Sequence, residues 1–370
     1  MTAVAGTDAA GGPGPGVVPV CPLYGSCGGC QYQHLAYDDQ LALKTGEIRR
    51  LFAGLTGDVA DCVPCPAPYG YRSKLTPHFA RPRPDREPAI GFLRAGQRRT
   101  IDVAACPIAT PAVNARLTEL RAEVRARWTG YRRGATLLVR EASSGVTVDP
   151  RDVITEQVGD LSLRFLAGDF FQNNPFLLPR LVEHVAREAR NGGARFLVDA
   201  YCGSGLLGLA AAPRFERVMG VEVSTSAVAW ARENAARNAR TNCAFIAADA
   251  SAVFAAVPFA AAETAVIVDP PRKGCSDDFL RQLVAFAPRT IVYVSCNPET
   301  QARDLLTLAA AGYRCLRLQP FDMLSATGNS SAPQSIWRST SVWEPTGAAL
   351  VGRAAGALSG QKPSIVSRCR

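Results

Sequence analysis

Phe196-Leu-Val-Asp-Ala-Tyr-Cys-Gly-Ser-Gly205 is the stretch that decides the fold. An apolar run carrying Asp199 breaks into a glycine turn and then opens a helix. Gly203 and Gly205 let the backbone approach a ligand closely at the carboxyl end of a strand, where open α/β sheets bind small molecules. The stretch is not a phosphate loop, because G-x-x-x-x-G-K-[ST] is absent, and its third glycine is misplaced for a dinucleotide fingerprint. Outward from it, short apolar runs alternate with helical segments at βαβ spacing. The expected strands are 196–200, 217–223, 244–247, 264–269, 290–295 and 313–320, with helices over 205–212, 226–239 and 277–286. Such alternation predicts an α/β, doubly wound, Rossmann-like parallel sheet.

Glu222 stands near the end of the second of these strands, 23 residues after Asp199. An acid about 20 positions on is placed to accept hydrogen bonds from ribose hydroxyls. Asp249, after the third strand, is placed to face an adenine amino group, although taken alone it reads rather as a loop or helix-capping aspartate. A ribose acid without a phosphate-binding element points to S-adenosyl-L-methionine as cofactor. In Val266-Ile-Val-Asp-Pro-Pro-Arg-Lys-Gly274, two prolines after Asp269 fix a rigid turn at the mouth of the sheet. Ile291-Val-Tyr-Val-Ser-Cys-Asn-Pro298 places Cys296 directly after the fifth strand, beside the same mouth. A cysteine there, rather than within the strand, is positioned as a nucleophile, which acts as its thiolate.

The 370 residues suggest about two domains at roughly 150 residues each. Lys plus Arg number 41 against 32 Asp plus Glu, a net charge of +9 that suits a polyanionic partner. No apolar run reaches the ~18–20 residues of a membrane span. Residues 1–20 contain no Lys or Arg and read as a flexible leader rather than an export signal. The 12 cysteines therefore belong to a reducing, cytoplasmic compartment, as ligands, nucleophiles or core residues rather than disulfides. No membrane and no obligate protein partner are expected.

The zone 21–160 is rich in Cys, Pro and Arg, with helices over 37–52 and 111–128 and β-like runs at 88–93 and 135–140. Cys21, Cys27 and Cys30 have C-x5-C-x2-C spacing, which lacks a fourth ligand and leaves zinc and iron–sulfur open. Cys62-Val-Pro-Cys65 is a competing pair. Residues 71–100 hold eight Arg or Lys and two acids, interleaved with Tyr71, His78, Phe79 and Phe92. Basic groups beside stacking rings suit looped or single-stranded RNA; the alternative is a solvated basic face.

Four segments carry a specific resemblance: Phe170-Phe-Gln-Asn-Asn-Pro175, Asp199-Ala-Tyr-Cys-Gly-Ser-Gly205, Asp269-Pro-Pro-Arg-Lys-Gly274 and Ser295-Cys-Asn-Pro298. Over residues 21–323 the chain resembles the RNA uracil-5-methyltransferase family, iron–sulfur enzymes that make 5-methyluridine in ribosomal or transfer RNA. The resemblance implies a SAM-dependent methyltransferase domain over 161–323, preceded by a smaller α+β domain over 21–160 with a four-cysteine cluster. It implies a [4Fe-4S] cluster on Cys21, Cys27, Cys30 and Cys106, and Cys296 as the nucleophile that adds to C6 of uracil. Gln172, Tyr201, Glu222, Asp249 and Asp269 line the cofactor site on this reading, unless Asp269 contacts the uracil. Arg72 and Lys74 match a family motif. Arg272 stands where amino-methyltransferases carry an aromatic residue, which favours carbon methylation. Ribosomal RNA is expected ahead of transfer RNA, and the RNA-binding β-barrel that often precedes the cluster is not seen before Cys21.

The carboxyl-terminal zone departs from that pattern. The family's Asp-Met-Phe-Pro-Gln-Thr-x-His-x-Glu reads here Asp322-Met-Leu-Ser-Ala-Thr-Gly-Asn-Ser-Ser331, with Asn329 for His and Ser331 for the proton-abstracting Glu. Residues 324–370 hold nine Ser and a single acid, Glu344, and read as a divergent, partly disordered tail in which the last strand of the sheet should nonetheless lie. Two expectations follow: an enzyme that uses another base, or an RNA-binding homologue without turnover.

Overall fold

A computed structural model describes residues 16–83, 85–248, 253–326 and 338–346. The chain divides into two compact units. The first comprises residues up to Arg50, Ala60–Leu181 and Gln319–Arg338; the second comprises Leu51–Val59, Val182–Leu318 and the residues from Ser339 on.

In the first unit, α1 (Tyr37–Leu51) opens with Asp38 and Asp39 and closes with Arg49 and Arg50, matching the helix dipole at both ends. Then follow β1 (Lys74–Leu75), β2 (His78–Phe79), β3 (Gly91–Leu93), β4 (Thr100–Asp102), α2 (Pro111–Ala126), β5 (Ala135–Thr136), β6 (Val139–Ala142), β7 (Gly145–Thr147), β8 (Val153–Val158) and β9 (Leu161–Leu166). They form two small sheets, ordered β4-β3-β2-β5 and β1-β6-β7, and the β8–β9 hairpin. Pro77 has no N–H to give a ladder, so it separates β1 from β2; Leu137 donates to its carbonyl at 2.7 Å between β5 and β6. The run expected over 135–140 is therefore two strands in two sheets. Thr110 caps α2, its hydroxyl accepting from Val113 N–H at 3.2 Å, with Pro111 in the first turn. Such a cap contributes about 1 kcal/mol. Val113, Leu117, Leu120 and Val124 of α2 then bury against Leu75, Phe79, Ile90 and Val139.

α3 (Leu178–Asn191) leads into the second unit. There the order is β10 (Phe196–Ala200), α4 (Leu206–Ala211), β11 (Arg217–Glu222), α5 (Thr225–Arg237), β12 (Cys243–Ala247), β13 (Thr264–Val268), α6 (Asp277–Phe286), β14 (Thr290–Ser295), α7 (Pro298–Ala310), β15 (Tyr313–Phe321) and β16 (Arg338–Pro345). The sheet order is β12-β11-β10-β13-β14-β16-β15. β10 to β14 pair in parallel, and β16 runs antiparallel to β14. Every residue of β13 and β14 is buried, as expected of parallel strands covered on both faces. The chain winds outward from β10 to β12 and returns to β13 on the other side of β10, a switch point of the kind at which such sheets bind ligands.

The doubly wound sheet expected from the sequence is thus the one observed, with β10–β15 at the six anticipated places. β16 lies in the serine-rich zone. It is tied down by His184 Nε2 to Thr340 Oγ1 at 2.9 Å and Gln301 Nε2 to Ser341 Oγ at 3.2 Å, with Trp343 only 1% exposed.

Candidate active site

The site is built at the carboxyl edge of β10, β11, β13 and β14. Asp199 is 1% exposed; its Oδ2 accepts from Gly208 N–H at 2.7 Å, while Oδ1 has no hydrogen-bond partner among the described residues. Burial pushes its carboxyl up to about 8, helped by the nearby acids Asp269 and Glu222. Tyr201 follows at φ 63°, a left-handed conformation for a side-chain-bearing residue. Strain of that kind costs about 1–3 kcal/mol and clusters at functional sites. Gly203 and Gly205 continue the turn at φ 53° and 93°, where glycine is needed. Glu222 ends β11 and closes this turn: Oε2 accepts from Gly203 N–H at 3.1 Å and Oε1 from Ser224 N–H at 3.0 Å.

Asp269 follows β13 and Cys296 follows β14. The two loops are joined by side chains of α7. Asn297 Nδ2 and Thr300 Oγ1 both donate to the carbonyl of Arg272, at 3.3 and 3.1 Å. Asn297 also caps α7, its Oδ1 accepting from Glu299 N–H at 3.1 Å. Deeper in, Asp304 Oδ2 accepts from Tyr293 OH at 2.6 Å and from Cys275 N–H at 2.7 Å. Gly274, at φ 79°, passes so close that a Cβ there would lie 2.6 Å from Asp304 Oδ2. Cys296 itself is 7% exposed.

The second unit thus brings Tyr201, Glu222, Asp269 and Cys296 to one edge of one sheet. Gln172 belongs to the first unit, half-buried beside Phe171, whose ring stacks on Phe165 at 4.3 Å. Asp249, Asn329 and Ser331 lie outside the described residues. Sequence reasoning missed Asp304, which sits mid-helix without a motif; its only signal is an acid on the same helical face as Gln301, Leu305 and Leu308. Asn174, within the motif 170–175, is 0% exposed and donates from Nδ2 to Met323 O at 3.0 Å while its Oδ1 accepts from Leu177 N–H at 3.1 Å. The segment after β15 is fixed further by a buried ion pair, Lys44 Nζ to Asp322 Oδ1 at 2.5 Å. Tyr37 and Ser325 hydroxyls donate to the other oxygen at 2.8 and 2.7 Å.

Cys21, Cys27, Cys30 and Cys106 line one cavity of the first unit, with Gln33 and Arg72. Cys21 N–H donates to Gln33 Oε1 at 2.9 Å, and Cys106 N–H to Asn114 Oδ1 at 2.8 Å. Burial pushes the Cys30 thiol up to about 12 and raises Cys27 and Cys106 as well. Cys62 and Cys65 do not line this cavity. Among the described residues no three His, Cys, Asp or Glu side chains converge on a single metal ion.

The basic stretch 71–100 is corrected in detail. Tyr71 (0% exposed) and Phe79 (2%) are core residues rather than stacking platforms, and Phe92 lines the cysteine cavity. Arg72 faces that cavity and donates to Lys74 O at 3.0 Å. Lys74 Nζ donates to the carbonyls of Gly168 and Asp169 at 3.3 and 3.2 Å, and burial lowers its ammonium to about 8. Among the described residues no helix is long and apolar enough to cross a membrane.

A doubly wound sheet of this order, with one strand inserted antiparallel beside β14, is the fold of SAM-dependent methyltransferases. The chain belongs to the tRNA (uracil-5-)-methyltransferase family, whose model matches residues 118–329. The tRNA (uracil(54)-C(5))-methyltransferase of Schizosaccharomyces pombe is 39% identical over 328 residues, covering 82% of this chain and 62% of that protein. The enzyme of the same name from Saccharomyces cerevisiae is 32% identical, covering 76% of this chain and 56% of that protein. The chain therefore spans less than two thirds of either yeast relative. An uncharacterized RNA methyltransferase of Gloeobacter violaceus is 31% identical, covering 86% and 82%. The crystal structure of Pyrococcus abyssi tRNA (uracil-54, C5)-methyltransferase in complex with S-adenosyl-L-homocysteine superposes with a TM-score of 0.67, at 26% identity and 84% coverage of both chains.

Proposed function

We propose that this chain methylates C5 of a uridine in RNA, with S-adenosyl-L-methionine as methyl donor and Cys296 as covalent nucleophile. The observation that carries the reading is the placement of Cys296 after β14, in a loop tied through Asn297 and Thr300 to the loop that begins at Asp269. Glu222 and Tyr201 lie at the same sheet edge. Each Glu222 oxygen accepts one backbone N–H and keeps lone-pair capacity for a ribose hydroxyl. Gln172 and Asp249 join the cofactor contacts on the family motif alone.

The bound cofactor supplies an electrophilic methyl group on sulfur. C5 of uracil is too weak a nucleophile to take it unaided. The Cys296 thiolate adds to C6, placing the electron pair of the C5–C6 double bond in an enolate that makes C5 nucleophilic. After C5 is methylated, a base removes the C5 proton, the double bond re-forms and the C6–S bond breaks. Covalent catalysis of this kind divides one hard step into easier ones. Because Cys296 is buried, the uridine has to leave its stack to reach it.

The two yeast relatives and the archaeal structure are named for uridine 54 of transfer RNA. They move the substrate assignment from ribosomal RNA, favoured by the motifs, to transfer RNA. Cys21, Cys27, Cys30 and Cys106 are the residues that would hold a [4Fe-4S] cluster, with Arg72 offsetting its negative charge; protein purified without oxygen should carry iron and sulfide rather than zinc.

The deciding experiment incubates the chain with a tRNA transcript and methyl-labelled cofactor. Free 5-methyluridine, absent with Cys296→Ala, supports the full cycle and means that a group other than Ser331 removes the proton. A labelled, denaturation-resistant protein–RNA adduct without free product means addition and methylation without elimination. RNA binding with neither signal sinks the enzymatic reading in favour of a binding homologue.

A further inference from the structure

Some arginines of the first unit are ion-paired and others are not. Arg116, Arg121 and Arg125 form ion pairs with Glu119 and Glu123, with Asp102, and with Asp102 and Glu87, respectively. Arg81, Arg83, Arg94, Arg98, Arg99 and Arg133 are exposed and have no ion-pair partner among the described residues. All six lie in segments that flank the four-stranded sheet β4-β3-β2-β5. Arg86 and Arg132 are exposed in the same segments, while Arg50, Arg127 and Arg180 are exposed elsewhere in the unit.

Arg94, Arg98 and Arg99 sit in the β3–β4 turn, which is closed by Arg94 N–H to Arg99 O at 2.8 Å and turns at Gly96, φ 68°. Arg81 and Arg83 follow β2, and Arg133 precedes β5, its antiparallel neighbour, with Phe79 opposite Ala135. These three therefore lie at the other end of the sheet. At ~3.3 Å per residue the two ends are on the order of 15–20 Å apart, about five nucleotides at ~3.4 Å each. Tyr71 and Phe79 are interior, so neither ring stacks a base beside these guanidinium groups. Arginine side chains at both ends of a sheet suit phosphates, which position an RNA without reading its sequence.

The turn is also fixed to the cysteine loop. Gly28 N–H donates to Leu93 O at 3.0 Å, Ala95 N–H donates to Ser26 O at 2.9 Å, and Cys27 bridges to Arg94. Gly28 allows this approach, since a Cβ there would stand 3.3 Å from Leu93 O.

We propose that the two arginine groups form a sequence-independent clamp on the RNA backbone, and that the Ser26–Gly28 loop sets the position of its hairpin half. The proposal rests on the tRNA-methylating reading and adds to it the surface that grips the substrate. Its consequence is that integrity of the cysteine loop controls RNA affinity separately from cofactor binding.

The test measures binding of an unmodified tRNA transcript by the full chain across a salt series. Two triple variants are compared with wild type: R94A/R98A/R99A and R81A/R83A/R133A. Each lost phosphate contact lowers the slope of log K against log salt by about 0.7–0.9, so each triple should reduce it by about 2–3 without changing cofactor affinity. Gly28→Val should mimic the hairpin triple and add nothing when combined with it, as expected of coupled sites. Wild-type binding and methylation with an unchanged slope in both triples would overturn the clamp and leave the activity standing. Additive loss with Gly28→Val would overturn the supporting role of the loop. Failure of the wild-type chain to bind tRNA at all would remove the proposed function and the clamp together.

Discussion

Asp304→Ala removes the one carboxylate that holds the loop after Asp269 against α7. In the native site Asp304 is 1% exposed and accepts from Tyr293 OH and Cys275 N–H. Both donors are left buried when it is cut back to alanine. Each orphaned buried donor costs about 1–3 kcal/mol. The lost pairing with Arg303, whose side chain is 57% exposed, adds little. The sum is about 3–4 kcal/mol. Both donors share Oδ2, so an asparagine oxygen in that place can accept from both and Asp304→Asn should lose well under half as much. With a urea m-value of about 2–3 kcal/mol per molar, the alanine variant should unfold at a midpoint lower by about 1–2 M. Circular dichroism across a urea series measures it. Cys275 also meets Tyr201 through its thiol, so both the methylation rate and the cofactor affinity should fall in the alanine variant. A midpoint within about 0.3 M of wild type, or asparagine less stable than alanine, would refute the assignment of Asp304 as the anchor.

Asp199 gives a pH dependence with a definite sign. Its folded carboxyl is raised to about 8 from an unfolded value of about 3.9, so the folded state binds the extra proton between those values. Stability of the cofactor-free chain should fall as pH rises from 5 to 8, by up to about 1.4 kcal/mol per unit from this group; urea midpoints should show that slope flattened in Asp199→Asn. Lys44→Met leaves Asp322 buried without its cation and should cost about 3–5 kcal/mol, most of it recovered in Lys44→Met with Asp322→Asn; equal stabilities of all three variants would contradict the buried pair. Glu222→Gln should weaken S-adenosyl-L-methionine binding about tenfold, the worth of one charged hydrogen bond at ~1.5 kcal/mol, as read by titration calorimetry, with tRNA affinity unchanged.

Much of the second unit was legible because its strands are short, apolar and fully covered. Val266–Val268 and Ile291–Val294 have no polar interruption, and Asp-Pro-Pro and Asn-Pro mark where each strand stops. Glu222 and Cys296 were legible for the same reason: each closes such a run. The first unit was harder. Its strands are two to four residues long up to β7, too short for a period of two to register, and Pro77 divides one extended segment between two sheets. Tyr71 and Phe79 show why composition misled. A basic stretch with rings reads as a stacking surface, yet alternation along Tyr71-Arg-Ser-Lys-Leu turns the rings inward and leaves the charges elsewhere. Asp304 carries no local signal because its partners, Tyr293 and Cys275, are joined to it only by the fold.

The position of β16 has a consequence for how the chain comes to be folded as it is made. The strand that leads to Cys296 and the strand that follows α7 are not neighbours; the polypeptide of residues 338–345 fills the gap between them. Until a ribosome has released that segment, β14 presents an unpaired edge of ladder groups, and such an edge invites pairing with another chain. Completion of the catalytic sheet is thus a late, long-range event, of the kind that slows folding. A nascent chain halted near residue 337 should hold every catalytic side chain named here and still be prone to aggregate.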